Sequence, residues 1–126
     1  MRIFKTKSFG RFQRKEGMGD GSLSEAIKRA ERGLIDADLG HGLIKQRVAR
    51  PGEGRRGGFR TVVAYRAAER AVFLFGFAKS DQANLGAADE RILKDYGALL
   101  LALDAGGIDT MTTGRELTEV AYDEET

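Results

Sequence analysis

The stretch FRTVVAYRAAERAVFLFGFA, Phe59–Ala78, decides the fold. Its first eight residues alternate: Phe59, Thr61, Val63 and Tyr65 share one face and Arg60, Val62, Ala64 and Arg66 the other, the two-residue period of a strand. Ala67–Arg70 reverses the chain into Ala71–Ala78, an apolar run that reads as the central strand of a sheet. Upstream, Leu43–Val48 reads as a further strand. Its alternation puts Lys45 and Arg47 on one face, about 7 Å apart, and Ile44 and Val48 on the opposite, core-facing side.

Outward from these strands the period changes. Ile3–Lys7 reads as a short opening strand. Ser8–Glu16 carries Phe9 and Phe12 on one face of a short helix that Gly17 and Gly19 end. Leu23, Ala26, Ile27 and Ala30 follow helical spacing, with Ser22 and Glu25 as a capping box, Asp20 as an alternative cap and Gly33 closing the C-terminus. A helix is predicted from about Ala87 to Ala105, with Ile92, Leu93, Tyr96, Leu99, Leu100 and Leu103 as its apolar stripe and Gly106-Gly107 as its stop. Glu116–Val120 reads as a possible last strand. The order β-α-α-β-β-β-α, with that possible strand after it, predicts an α+β fold rather than alternating βαβ units.

The chain has 126 residues, 41% of them hydrophobic and 32% charged, which fits one globular domain spanning residues 1–126, with 121–126 as an acidic tail. The composition excludes a disordered tail or a membrane protein. The start, Met1-Arg2-Ile3-Phe4-Lys5, has no signal-peptide pattern, which predicts a cytoplasmic protein. There is no Cys, so neither disulfides nor a thiolate zinc site is available. No metal site and no cofactor are predicted.

The net charge of +2 hides an asymmetry: residues 1–79 carry a net +10 and residues 80–126 a net −8. The densest basic region runs from Lys45 to Arg66. Its arginines suit phosphate, because a planar guanidinium matches phosphate oxygens bidentately. Three tempting motifs carry less. Gly52–Gly58 lacks the Gly-Lys-Ser/Thr and the following helix of a nucleotide-binding loop. His41, the lone histidine, sits in the turn Gly40-His41-Gly42 and reads as an exposed loop residue. Asp123-Glu124-Glu125 reads as a solvated terminus.

What remains is a set of cations on strands. Lys45, Arg47 and Arg60 converge on one sheet face if their two strands pair, and Lys79 reaches the area from the end of the next strand. Arginines can stabilise the pentacoordinate phosphorane of metal-free phosphodiester cleavage, and a lysine can move protons. Spacing alone favours phosphate binding over catalysis. Gly57-Gly58 suggests either a close backbone approach to a phosphate-bearing ligand or a plain hairpin turn.

Three segments in order, Lys45-Gln46-Arg47-Val48, Gly54-Arg55-Arg56-Gly57-Gly58-Phe59-Arg60 and Phe75-Gly76-Phe77-Ala78-Lys79-Ser80, resemble the RelE/HigB superfamily of bacterial toxins, in its HigB-like branch. The resemblance covers about Lys5 to Val120. It implies a small RelE-like fold, with an N-terminal strand and helical hairpin packed on an antiparallel sheet, followed by a C-terminal helix. It also implies a type II toxin that cleaves mRNA, usually in the ribosomal A site, and that a cognate antitoxin neutralises. Attack by the RNA 2′-hydroxyl would leave a 2′,3′-cyclic phosphate without metal.

Carried over by position, Lys45, Arg47, Arg60 and Lys79 are the catalytic candidates. Arg50, Arg55, Arg56, Gly57, Gly58 and Asn84 are the RNA-binding ones. Where some relatives carry a Tyr or His after the last strand, Asp81, Gln82 and Asn84 stand here, which leaves Lys79 as the candidate general acid. Tyr96 reads as core. One alternative is a non-catalytic toxin like the ParE branch, which poisons DNA gyrase by binding; convergent cations on the sheet favour the nuclease. Another is a plain nucleic-acid-binding module, against which the sequence offers few exposed aromatics for stacking.

Overall fold

The computed structural model describes residues 1–50, 54–78 and 87–122. Its elements are β1 (Arg2–Thr6), α1 (Lys7–Glu16), α2 (Asp20–Glu31), β2 (Ala37–Gly40), β3 (Leu43–Arg50), β4 (Gly54–Arg66), β5 (Arg70–Ala78), α3 (Ala87–Ala102), α4 (Ala105–Thr113) and β6 (Leu117–Val120). The strands form one sheet in the order β2-β3-β4-β5-β1-β6. All neighbours run antiparallel except β1 and β5, which are parallel, so the predicted α+β class holds. β5 is interior, as its apolar run requires.

Helices cover both faces of the sheet. Under α1 and α2 lie Ile3, Phe9, Leu23, Ile27, Ile44, Val48, Phe59, Val63 and Phe73. Under α3 and α4 lie Phe4, Leu43, Val62, Ala64, Val72, Leu74, Leu100, Ile108 and Leu117. Odd and even residues of β3 and β4 therefore serve different cores, as their alternation demands.

The helix ends differ from expectation in instructive ways. In α1 the Thr6 side chain accepts from the Phe9 N–H, and Gly17 closes the helix at φ 69°. In α2 neither Ser22 nor Asp20 caps. Gly19 is the N-cap without a side-chain bond, because the Asp20 carboxylate is taken by Lys5 Nζ at 2.9 Å and Gln13 Nε2 at 2.7 Å. The helix predicted to 105 is two helices: α3 ends at Ala102, and Asp104 caps α4 by accepting from the Gly107 N–H at 2.8 Å. Gly106-Gly107 thus begins a helix instead of stopping one.

The buried side of α3 also differs from the predicted stripe. Ile92, Tyr96 and Leu99 are exposed, while Gly97, Leu100 and Leu101 face the sheet. A Cβ on Gly97 would lie 3.1 Å from the Ala64 Cβ. The glycine lets the helix backbone approach β4, and this rotates the larger side chains outward. α3 has no basic residue in its last turn. Its terminal carbonyls are instead satisfied by Arg66, which donates to Leu101 O, and by Arg70, which donates to Leu100 O and Leu103 O at 2.8 and 2.9 Å.

One strand, and the start of another, carried no sequence signal. β2 is four residues at the sheet edge, paired to β3 through Ala37↔Lys45 and Gly40↔Leu43. β4 starts at Gly54, before the predicted Phe59, because pairing with β3 resumes past a bulge at Arg50↔Gly54. Among the described residues no helix is long and apolar enough to cross a membrane.

Candidate functional site

The register of β3 against β4 places Arg47 directly opposite Arg60 and Lys45 opposite Val62. All three cations therefore stand on the sheet face that also carries α3. They line one open cavity of about 250 Å³ together with Asp36 and Ala37. α3 covers this face around Leu43, Ala64 and Leu74. The cations lie further along the strands, where Lys45 and Arg60 are partly exposed and Arg47 is exposed.

A second set of residues holds the first in place. Arg47 lies past the end of β2, so no strand partner serves the outer edge of its peptide group. Side chains replace that strand. The Arg47 N–H donates to Asp36 Oδ2 at 2.7 Å, and the Arg47 carbonyl accepts from Arg29 Nη2. Arg29 is 4% exposed; its Nη1 lies 3.7 Å from Asp36 Oδ2 and its Nε donates to Glu25 Oε2 at 3.0 Å.

Gln46, 1% exposed, completes the frame. Its amide donates to Ala26 O at 2.9 Å and Leu34 O at 3.3 Å, and accepts from the Asp36 N–H at 2.8 Å. The α2–β2 connection is thereby pinned to β3, and the Asp36 carboxylate is set at the rim of the cavity. Unpaired polar groups at this depth would cost about 1–3 kcal/mol each.

These three residues were not among the sequence candidates. Gln46 had a signal: it is a polar residue at the parity of Ile44 and Val48, on the core-facing side of a strand. Arg29 had one too, three residues after Ala26 on the apolar face of its helix. Asp36 had none, since it lies in a connection without periodicity.

The remaining candidates are distributed as follows. The Arg50 guanidinium lies 4.6 Å from the centroid of the Phe59 ring, a ring that belongs to the α1–α2 core. The cavity therefore has Lys45, Arg47 and Arg60 without Arg50. Gly57 and Gly58 lie inside β4, not in a turn; Arg55 and Arg56 belong to the same strand. Lys79 and Asn84, with Asp81, Gln82 and the tail from Asp123, lie outside the described residues.

His41 is exposed at φ 56° in the β2–β3 turn, beside a groove lined by Glu90, Arg91, Lys94, Asp95 and Ala98 of α3. Among the described residues no three His, Asp or Glu side chains gather as a metal-holding set.

The N-terminal charge is partly structural. Arg2 pairs bidentately with Glu119, Lys5 with Asp20, and Arg66 and Arg70 with the α3 terminus. Burial lowers the Arg70 pKa from its ordinary value, with the neighbouring Arg66 and Arg2 acting in the same direction. Lys45, Arg47 and Arg60 on β3 and β4 are the basic residues that gather around one cavity.

Comparison with curated proteins finds no match. Residues 1–120 match the family described as the RelE toxin of the RelE / RelB toxin-antitoxin system. With nearly its whole length matched by that family, the chain belongs to the RelE toxin family.

Proposed function

We propose that this toxin acts as an mRNA endonuclease of the HigB-like branch, working in the ribosomal A site without a metal. The observation that carries the reading is the direct opposition of Arg47 and Arg60 across β3 and β4, with Lys45 on the same face. Two arginines whose backbones stand one strand spacing apart, about 4.8 Å, can both reach the non-bridging oxygens of one phosphate.

In this reading the RNA 2′-oxygen attacks its own 3′-phosphorus. Arg47 and Arg60 stabilise the charge that builds on the phosphorane. Lys45, reacting as the neutral amine, takes the 2′-hydroxyl proton and becomes the ammonium. The bond from phosphorus to the 5′-oxygen breaks, and Lys79 supplies the proton to that leaving oxygen. The products are a 2′,3′-cyclic phosphate and a 5′-hydroxyl.

A cognate antitoxin follows from family membership. Its acidic or apolar segment is expected to cover this basic face. Cytoplasmic action follows from the substrate.

The test is cleavage of a ribosome-bound mRNA by purified toxin, with the new ends mapped and their chemistry read. The wild type should cut and leave cyclic phosphate ends. Arg60→Ala and Arg47→Ala should each lose about 100-fold or more in rate while melting normally, the loss typical of a missing charge-stabilising donor. Full activity in both variants would end this assignment. Inhibition of gyrase supercoiling with no RNA cut would instead favour the ParE-like alternative.

A further inference from the structure

Phe75 is 39% exposed, although it sits on interior strand β5 between neighbours that are almost fully buried: Phe73 at 0%, Leu74 at 4% and Phe77 at 8%. A bulge explains the break. β4 and β5 shift register between Val62↔Phe75 and Val63↔Phe73, so Leu74 is the extra residue. Strict alternation from Leu74 would send Phe75 toward α1 and α2. With the bulge, Leu74 and Phe75 both point to the α3 side. Leu74 goes under the helix at Gly97, and Phe75 emerges beyond it.

The register then aligns two rows across three strands. One row is Lys45, Val62 and Phe75; the other is Arg47, Arg60 and Phe77. The rings of Phe75 and Phe77 are 6.0 Å apart and tilted by 42°, so the buried Phe77 backs the exposed Phe75. An open aromatic ring thus stands one strand from Arg60 and two strand spacings, about 10 Å, from the strand of Lys45 and Arg47, on the same surface.

We infer that Phe75 is a stacking platform for a nucleobase next to the phosphate held by Lys45, Arg47 and Arg60. This inference rests on the ribonuclease reading above. A ligand that matches the surface presents an anion and a flat π-face side by side, which is the chemistry of a nucleotide. Stacking on the ring is sequence-tolerant, because every base has a π-face. It would orient the strand so that the 2′-oxygen lines up with the phosphate.

The test compares Phe75→Leu, which keeps the apolar bulk and removes the π-face, with Phe75→Tyr, which keeps the ring. Each variant is melted and then assayed for cleavage of two ribosome-bound mRNAs. One is intact, and the other carries an abasic nucleotide beside the scissile phosphate. On the intact mRNA, Phe75→Leu should fall about 10- to 100-fold and Phe75→Tyr should stay within about 3-fold of the wild type. On the abasic mRNA, wild type and Phe75→Leu should cut equally.

Equal cutting of the intact mRNA by wild type and Phe75→Leu would overturn the platform alone. So would a loss of the same size on both substrates. If Phe75→Leu kept RNA cleavage and lost antitoxin binding, the ring would be a protein-contact residue and the inference would fail. A wild type that cuts neither mRNA would remove the ribonuclease reading and the platform with it.

Discussion

Replacing Arg29 with Met should loosen the site without touching any group that faces the cavity. Arg29 is 4% exposed and grips the backbone carbonyl of Arg47, where the edge strand has already ended. Its removal deletes one charge-assisted hydrogen bond, about 1.5–3 kcal/mol. It also deletes two ion pairs whose acids, Glu25 and Asp36, are 45% and 34% exposed, and solvent screening holds such pairs to about 0–1 kcal/mol each. Methionine restores part of the buried apolar packing. The net loss should be about 2–4 kcal/mol, or a melting temperature lower by about 8–15 °C at this chain length.

Asp36→Asn is the internal control. It keeps an acceptor for the Arg47 N–H and loses only charge, so it should cost about 1 kcal/mol. Urea unfolding followed by far-UV circular dichroism measures both variants in a protein without tryptophan. Well below its midpoint, Arg29→Met should also cleave RNA more slowly than the wild type, because Arg47 keeps its side chain and loses its anchor. An Arg29→Met loss under about 1 kcal/mol, or equal losses in the two variants, would refute the clamp.

Gly76→Ala should destabilise by about 1–3 kcal/mol, since its Cβ would fall 2.5 and 2.8 Å from atoms of the Phe12 ring and 3.1 Å from Phe9. Adding Phe12→Leu should recover part of that loss, and a strictly additive double variant in urea melts would contradict the clash. Arg70→Met should cost about 1–3 kcal/mol by leaving the Leu100 and Leu103 carbonyls without their donor, with faster amide exchange at the end of α3 as the local signature. Acid should weaken the fold through two carboxyls. At Asp20 burial raises the pKa, but hydrogen bonds from Gln13 and Lys5 outweigh it and the net shift is downward; at Glu119 the Arg2 hydrogen bond lowers the pKa. A depressed carboxyl pKa gives stability that is present above the ordinary carboxylate range and is lost as pH falls through the folded value. Asp20→Asn and Glu119→Gln should therefore each flatten the drop in melting temperature between about pH 5 and about pH 3, and an unchanged slope would remove the pair from that account.

Local patterning carried the sheet strands and the convergence of Lys45, Arg47 and Arg60. Side-chain parity is a property of the chain itself: once β3 and β4 pair, every second residue must share a face. Thr6 and Gly17 around α1 belong to the same class, because a cap and a left-handed stop act within a few residues. Tertiary structure decided what depends on a partner distant in sequence. β2 exists as a strand because the edge of β3 is there to pair with it. Phe75 faces the cations because β4 and β5 slip by one residue, and α3 turns Leu100 inward and Leu99 outward because Gly97 admits the sheet. Arg29 and Gln46 looked like a cation and an amide until α2, β2 and β3 closed around them. Periodicity marks both as polar residues at apolar positions, but it cannot name their partners, because these are mostly peptide atoms that every residue carries, left open where the edge strand stops.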